Sequence, residues 1–171
     1  MLKRIAFAAV LSLFLHGAAI AGGEDLPAVE IYLPTPCLAC IDWGEHLMNA
    51  GFKVSFKETA DMAALKRRLG VPADVQSVPT AKVGGYFVEG HVPADDIKQL
   101  LKEKPKARGL AVPGLPRGAP GYEGGAASGS VCESGCTILD RPADAAREVR
   151  REMYDTLLVA PNGKTSIFAR H

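Results

Sequence analysis

The spacing of apolar and polar residues predicts strands and helices in alternation along the first part of the chain. Residues 29–33 form a short run rich in β-branched and aromatic residues that ends at a proline, which is typical of a strand. Apolar side chains at helical spacing follow over residues 37–51, and strict alternation over residues 52–56 predicts a second strand. Residues 61–70 then predict a second helix, with an aspartate as its N-cap and a glycine at its end.

The next segment predicts a β-hairpin and a third helix. Residues 80–83 and 86–89 flank a Gly-Gly pair, which is a strong signal for a two-residue turn, and Pro93 precedes a helix with an apolar stripe. Strands joined through a helix tend to pair in parallel, whereas a hairpin pairs its strands antiparallel. The order strand-helix-strand-helix-strand-strand-helix therefore predicts a mixed sheet of the α/β class. This arrangement resembles the thioredoxin-like fold.

The composition changes towards the C-terminus, where Pro and Gly become frequent. Residues 124–130 have the composition of a flexible linker. A charged helix over residues 142–153 and a hairpin within residues 156–168 are predicted beyond it. We therefore predict a thioredoxin-like domain over residues 27–123 and a C-terminal extension over residues 124–171.

The N-terminus has the pattern of a secretory signal peptide. Lys3 and Arg4 precede an apolar run over residues 5–15, and a small-x-small pattern ends at Ala21. The run is too short for a membrane-spanning helix, which needs about 20 residues. We expect cleavage after Ala21 and a soluble protein exported to the periplasm.

Charge and cysteine content narrow the function classes. A formal net charge of +1 argues against nucleic acid as a partner, because phosphate binding requires a concentrated positive field. All four cysteines follow the predicted leader, and an exported protein can form disulfides.

Cys37 and Cys40 form a Cys-x-x-Cys motif between the first predicted strand and the first predicted helix. Unpaired backbone N–H groups and the helix dipole favour a thiolate at the N-terminal cysteine of such a site. A thiolate is both the nucleophile of disulfide exchange and a soft-metal ligand. The motif therefore indicates a reactive dithiol or a metal site, with a structural disulfide as the third alternative.

Val78-Pro79-Thr80 lies directly before the predicted hairpin, where thioredoxin-like proteins have a cis-proline that faces the cysteine pair. A cis X-Pro bond costs little, and proline cannot ligate a metal. An ordinary trans proline at the start of an edge strand is the alternative interpretation.

Several segments together resemble the CopG-like domain-of-unknown-function 411 family, which consists of periplasmic thioredoxin-fold proteins associated with copper handling. The segments are GFKVSFKETADMAALKRRLGVP, GYFVEGHVPADDIKQLL and ARGLAVPGLPRGAPGYE, with YDTLL near the end. The resemblance covers residues 28–123 and 154–158.

The metal ligands of that family are mostly replaced in this chain. Members of the family usually have a Cys-x-Cys-Cys motif, and Ala39 occupies the position of its middle cysteine in this chain. The family's Ser-Cys-His-Thr segment corresponds to Ser77-Val78-Pro79-Thr80, which lacks the cysteine and the histidine. Two methionines of the family correspond to Leu115 and Tyr122, while the Gly-His-Val-Pro block keeps His91. The comparison with the family thus leaves His91 as a candidate metal ligand, and the loss of the other ligands favours exchange chemistry over a copper cluster of the family's usual kind.

Cys132 and Cys136 lie outside the region of resemblance. They could form a local disulfide, exchange with the first pair as a redox relay, or complete a four-cysteine metal site. Four cysteines allow three pairings, among which the sequence does not choose.

Other polar and aromatic residues receive structural interpretations. Lys66, Arg67 and Arg68 are predicted to form a solvated helix face, and His46 to be a partly exposed helix residue. Trp43 is predicted to pack at the helix surface, and His171 to be mobile.

The leading hypothesis is a periplasmic thiol–disulfide oxidoreductase without a cofactor, in which Cys37 and Cys40 exchange with protein thiols or disulfides and Pro79 shapes the substrate groove. The alternative is a non-enzymatic copper-binding protein that uses the same two thiolates, with Cys132 and Cys136 as further ligands. A third hypothesis is an adaptor whose disulfides only stiffen an interaction surface.

Overall fold

A computed structural model describes residues 25–34, 37–122 and 151–171. The elements are β1 Val29–Leu33, α1 Leu38–Asn49, β2 Val54–Glu58, α2 Met62–Leu69, a 3₁₀ turn Ala73–Val75, β3 Thr80–Val83, β4 Tyr86–Glu89, α3 Ala94–Glu103, β5 Gly109–Ala111, β6 Asp155–Val159 and β7 Thr165–Arg170. The seven strands form one sheet in the order β2-β1-β3-β4-β5-β6-β7.

The sheet is mixed, as predicted from the order of elements. β1 pairs in parallel with β2, and β4 pairs in parallel with β5, whereas the other neighbours are antiparallel. The connection between β3 and β4 is the predicted hairpin, with positive φ angles at Gly84 and Gly85. The predicted α/β class with a thioredoxin-like mixed sheet is confirmed.

The second strand begins at Val54 rather than at Phe52. Gly51 ends α1 with φ of +96°, and the amide of Phe52 donates to the carbonyl oxygen of Leu47. Phe52 is therefore held against the end of α1 and buried, while β2 forms an edge of the sheet.

The C-terminal residues extend the same sheet. Residues 156–159 and 165–168, for which strands are predicted, lie in β6 and β7, and β6 pairs with β5 through Leu110 and Leu158. Residues 151–153 have no regular secondary structure, so the predicted helix does not reach its expected end; its other residues lie outside the described part. The division into a domain and an extension stays a prediction.

Two apolar clusters form the core, one on each face of the sheet. The larger cluster contains Trp43 and Leu47 of α1 and Ile97 and Leu100 of α3. The smaller cluster surrounds Phe87 and contains residues that follow α2. Because successive side chains of a strand point to opposite faces, α2 lies on the face opposite α1 and α3.

Among the described residues, no helix has both the length and the apolarity needed to cross a membrane. The predicted signal peptide lies outside the described residues.

Candidate active site

One end of the sheet brings together the segments that carry the predicted site residues. Tyr32, near the end of β1, is paired with Thr80, the first residue of β3. Pro79 therefore lies at the end of β1, from which the chain continues to Cys37. The amide of Gly90 donates to the carbonyl oxygen of Pro79 at 2.8 Å, so the segment after β4 reaches the same end.

Cys37 and Cys40 are joined by a disulfide with an S–S distance of 2.09 Å. Cys37 is the N-cap of α1, and its sulfur accepts a hydrogen bond of 3.3 Å from the amide of Cys40. Cys40 is 0% exposed and belongs to the core, whereas Cys37 is partly exposed. An external thiol can therefore reach Cys37 but not Cys40.

The start of α1 favours negative charge on Cys37 when the pair is reduced. The first turn of the helix contains no acidic residue, and the amide of Cys40 already points at the Cys37 sulfur. Amide donors and the positive end of a helix dipole lower the pKa of a thiol. The geometry is therefore suited to a nucleophilic thiolate.

The Val78–Pro79 peptide bond is cis, as predicted from the sequence. Pro79 is buried, while Val78 is 40% exposed. Within the described residues, the backbone N–H and C=O of Val78 make no hydrogen bond. Val78 therefore presents an unpaired backbone edge at the end of the sheet where Cys37 lies.

A buried ion pair lies beneath this loop. Glu89 accepts hydrogen bonds from the amide of Ser77 at 2.6 Å and from the hydroxyl of Thr80 at 2.8 Å. Lys66 donates to the same carboxylate and to the carbonyl oxygen of Ser77. Burial raises the pKa of the Glu89 carboxyl, while Lys66 and the hydrogen bonds from Ser77 and Thr80 act in the opposite direction.

The expectation that Lys66 belongs to a solvated face is wrong. Lys66 is only 6% exposed, while Arg67 and Arg68 are exposed as expected. The Lys66 side chain turns inward from α2 because Glu89, the last residue of β4, supplies a buried counter-charge. The sequence gives no separate signal for this pair, since Lys66 lies within a run of basic residues and Glu89 ends an otherwise apolar strand.

Trp43 fixes α1 to the segment between β4 and α3. The side chain is completely buried rather than at the helix surface, and its indole N–H donates to the carbonyl oxygen of Val92 at 2.8 Å. His46, one turn further along, is half-buried and accepts a hydrogen bond of 3.1 Å from the amide of Ala94. Both contacts hold the cysteine-bearing helix at a defined position over the sheet.

His91 is buried and acts as a link between segments. Its Nδ1 lies 2.7 Å from the carbonyl oxygen of Pro120, so this nitrogen carries the hydrogen and donates. Burial lowers the pKa of His91, and the hydrogen bond to Pro120 opposes that shift. The following residue, Gly121, contacts α1 so closely that a Cβ would lie 2.6 Å from the amide nitrogen of Trp43.

The expectation that His171 is mobile is also wrong. Its Nε2 lies 2.9 Å from the carboxylate of Asp96, and its ring stacks on Tyr154 with 4.8 Å between centroids. Strand β7 brings His171 back to α3, which the sequence around the residue does not indicate.

No cluster of three or more His, Cys, Asp or Glu residues that could hold a metal ion occurs in the described ranges. The reduced Cys37/Cys40 pair would offer two thiolates, which suits a soft metal of low coordination number. Cys132 and Cys136, the predicted second pair, lie outside the described residues.

The chain is similar to one described protein family and to two solved structures. A family model described as "Protein of unknown function, DUF411" matches residues 75–122. Two solved structures, named copper resistance protein copG forms 1 and 2, are each 35% identical to the chain; each match covers 85% of this chain and 98% of the other. Their TM-scores are 0.66 and 0.67. No curated protein matches the chain.

Proposed function

We propose that this chain, which belongs to the CopG-like DUF411 family, is a periplasmic thiol–disulfide exchange protein acting through Cys37 and Cys40. The observation that carries the proposal is the asymmetry of the pair. A partly exposed sulfur caps a helix, and the sulfur bonded to it is buried.

The exchange proceeds in two displacements at sulfur. A thiolate of the partner protein attacks the Cys37 sulfur, the bond to Cys40 breaks, and the Cys40 thiolate leaves and takes up a proton. A second partner thiolate then attacks the partner sulfur of this mixed disulfide and releases Cys37. Two electrons pass to the Cys37/Cys40 pair as the partner gains a disulfide, and the reverse sequence reduces a partner disulfide.

The loop at Pro79 positions the partner chain in this proposal. The N–H and C=O of Val78, which have no hydrogen-bond partner in the described part of the chain, can form strand-like hydrogen bonds with an extended peptide. Such pairing would hold a cysteine of that peptide at the end of the sheet where Cys37 is exposed. Pro79 has no N–H, so it ends the pairing after Val78.

This exchange would serve copper handling, which the name of the two matched structures, copper resistance protein copG, supports. A disulfide has no thiolate to offer a metal, whereas the reduced pair has two. The redox state of Cys37 and Cys40 would then decide whether the protein can take up Cu(I). Export by the leader, with cleavage after Ala21, would bring the protein to a compartment where disulfides persist.

Mixed-disulfide trapping tests the exchange. The reduced protein is treated with oxidised glutathione in a Cys132→Ser/Cys136→Ser background, which confines the reaction to the first pair. With Cys37 and Cys40 both present, the protein should close the disulfide and release glutathione. Cys40→Ser should accumulate one glutathione adduct at Cys37, and Cys37→Ser should react far more slowly because Cys40 is buried.

Equal adduct formation in the two single variants would contradict the assigned roles. Absence of reaction in the protein that keeps both cysteines would contradict exchange altogether.

A second candidate function is Cu(I) binding without redox turnover, which the CopG matches favour. Soft thiolate ligands select Cu(I), and the reduced pair supplies two of them. Anaerobic Cu(I) titration against a chelator, with the Cys132→Ser/Cys136→Ser protein as a matched control, distinguishes this function. Tight binding that requires Cys37 and Cys40, in a protein inert to oxidised glutathione, would favour it over exchange.

A further inference from the structure

We propose that Lys66 and Glu89 are positioning residues for the Val78–Pro79 loop, so that this buried ion pair controls exchange with extended polypeptide substrates. The inference rests on the proposed function and names a substrate class for the same site. Neither residue touches the cysteines in this proposal; both act through the loop.

The Glu89 carboxylate holds the chain on both sides of Val78 and Pro79. One oxygen accepts a hydrogen bond from the amide of Ser77, the residue before Val78. The other oxygen accepts a hydrogen bond from the hydroxyl of Thr80, the residue after Pro79. Lys66 adds a third contact by donating to the Ser77 carbonyl oxygen. The backbone groups of Ser77 thereby have partners within the protein, whereas those of Val78 have none among the described residues and are available to a partner chain.

The same carboxylate is not placed to accept a proton from Cys40. Val88 packs in the core cluster that contains Cys40, whereas Phe87 packs in the cluster on the other face. Side chains alternate along a strand, so Glu89 points to the same face as Phe87. The sheet therefore separates Glu89 from Cys40, which leaves the loop as the route for its influence.

A contribution to stability does not by itself explain the buried Lys66–Glu89 ion pair. A buried ion pair is costly to desolvate, and well-packed apolar residues often replace one without loss of stability. Charged hydrogen bonds, however, are short and directional, so they fix backbone atoms more closely than apolar contacts do. Glu89 holds the loop on both sides of Val78 and Pro79, which is what a residue that aligns this loop with a substrate must do.

The inference predicts a difference between substrates. A peptide that pairs with Val78 needs the loop in place, whereas a small disulfide without amide groups needs only the exposed Cys37 sulfur. The two probes are hydroxyethyl disulfide and an extended peptide that carries one cysteine as a mixed disulfide with glutathione. The variants are Glu89→Gln, which removes the charge, and Thr80→Val, which removes one contact and leaves the ion pair intact.

Glu89→Gln should lower the second-order rate constant for the peptide by about tenfold or more, because a small displacement of the Val78 backbone, which pairs with the peptide in this proposal, strongly lowers the rate of reaction. Thr80→Val should lower it by a smaller factor. Neither variant should change the rate constant for hydroxyethyl disulfide. Glu30→Gln is the matched control, since it removes a carboxylate from the exposed ion pair with Lys57, and it should leave both rate constants unchanged.

Equal losses with both probes, or no loss with the peptide, would overturn the inference. Hydrogen exchange of the Ser77 amide gives a readout that does not depend on activity: Glu89→Gln should accelerate it, and Glu30→Gln should not. An unchanged Ser77 exchange rate in Glu89→Gln would also overturn the inference. A wild-type protein that reacts with neither probe would overturn the proposed exchange function instead, and the amide measurement would still decide whether Glu89 holds the loop.

Discussion

The indole N–H of Trp43 donates a hydrogen bond of 2.8 Å to the carbonyl oxygen of Val92. This contact joins the helix that begins at Cys37 to the segment that follows β4. His91, the residue before Val92, donates a hydrogen bond to the carbonyl oxygen of Pro120. Helix α1, the segment after β4 and the segment around Pro120 therefore meet beside the first turn of α1. The position of the cysteine pair is therefore set by contacts distant in sequence.

Trp43→Phe should destabilise the protein, because it leaves the buried carbonyl oxygen of Val92 without its donor. The expected loss is about 1–3 kcal/mol in the free energy of unfolding, measured by denaturant titration. Tyr86→Phe is a suitable control, since it removes a hydrogen bond to Pro105 at a half-buried position and should cost less. Equal losses in the two variants would contradict the anchoring role of Trp43.

Gly121→Ala should be strongly destabilising for two separate reasons. Gly121 has φ of +78°, and its added Cβ would lie 2.6 Å from the backbone nitrogen of Trp43. Gly85→Ala is the matched control, because Gly85 has φ of +90° but open space around its Cα. Gly85→Ala should lower the free energy of unfolding by about 1–2 kcal/mol through backbone strain. Gly121→Ala should lower it by about 1–3 kcal/mol more, because the steric clash adds to the strain.

A melting experiment on both variants checks this expectation. Similar melting temperatures would show that residues 119–121 do not pack against α1 as described.

The contribution of Glu89 to stability should depend on pH. Burial raises the pKa of the Glu89 carboxyl above the ordinary value of 4.5, although Lys66 and the hydrogen bonds from Ser77 and Thr80 oppose the shift, so the carboxyl binds its proton more tightly in the folded protein than in the unfolded chain. Stability from a raised pKa is fully present below the unfolded value and is lost as pH rises through the folded value. The free energy of unfolding of wild type, relative to Glu89→Gln, should therefore fall from acidic to neutral pH.

Parallel denaturant titrations of wild type and Glu89→Gln across that pH range provide the measurement. A difference that grows in favour of wild type with rising pH would mean that the attraction of Lys66 outweighs the cost of burial.

The order of elements could be predicted because periodicity, caps and turn residues are local signals. The Asp61 cap, the Gly70 helix end and the Gly84-Gly85 turn all occur as the sequence indicates. The Cys37/Cys40 motif and the cis Val78–Pro79 bond could likewise be predicted from residue type and position.

Burial of polar side chains could not be predicted in the same way. Lys66 turns inward because Glu89 faces it from a strand that follows later in the chain, and His171 is ordered because β7 returns to α3. Trp43 is buried because the segment around Gly121 covers α1. Each outcome depends on a partner distant in sequence, which local patterns do not identify.

The equilibrium of the Cys37/Cys40 pair with thiol–disulfide buffers tests the proposed exchange function directly. The Cys132→Ser/Cys136→Ser protein is equilibrated over a range of reduced and oxidised dithiothreitol and glutathione, and free thiols are then alkylated and counted by mass. We predict a reversible two-electron transition between disulfide and dithiol, which is lost in Cys37→Ser. A pair that stays fully oxidised against strong reductant, with no exchange in either direction, would contradict thiol–disulfide exchange by Cys37 and Cys40.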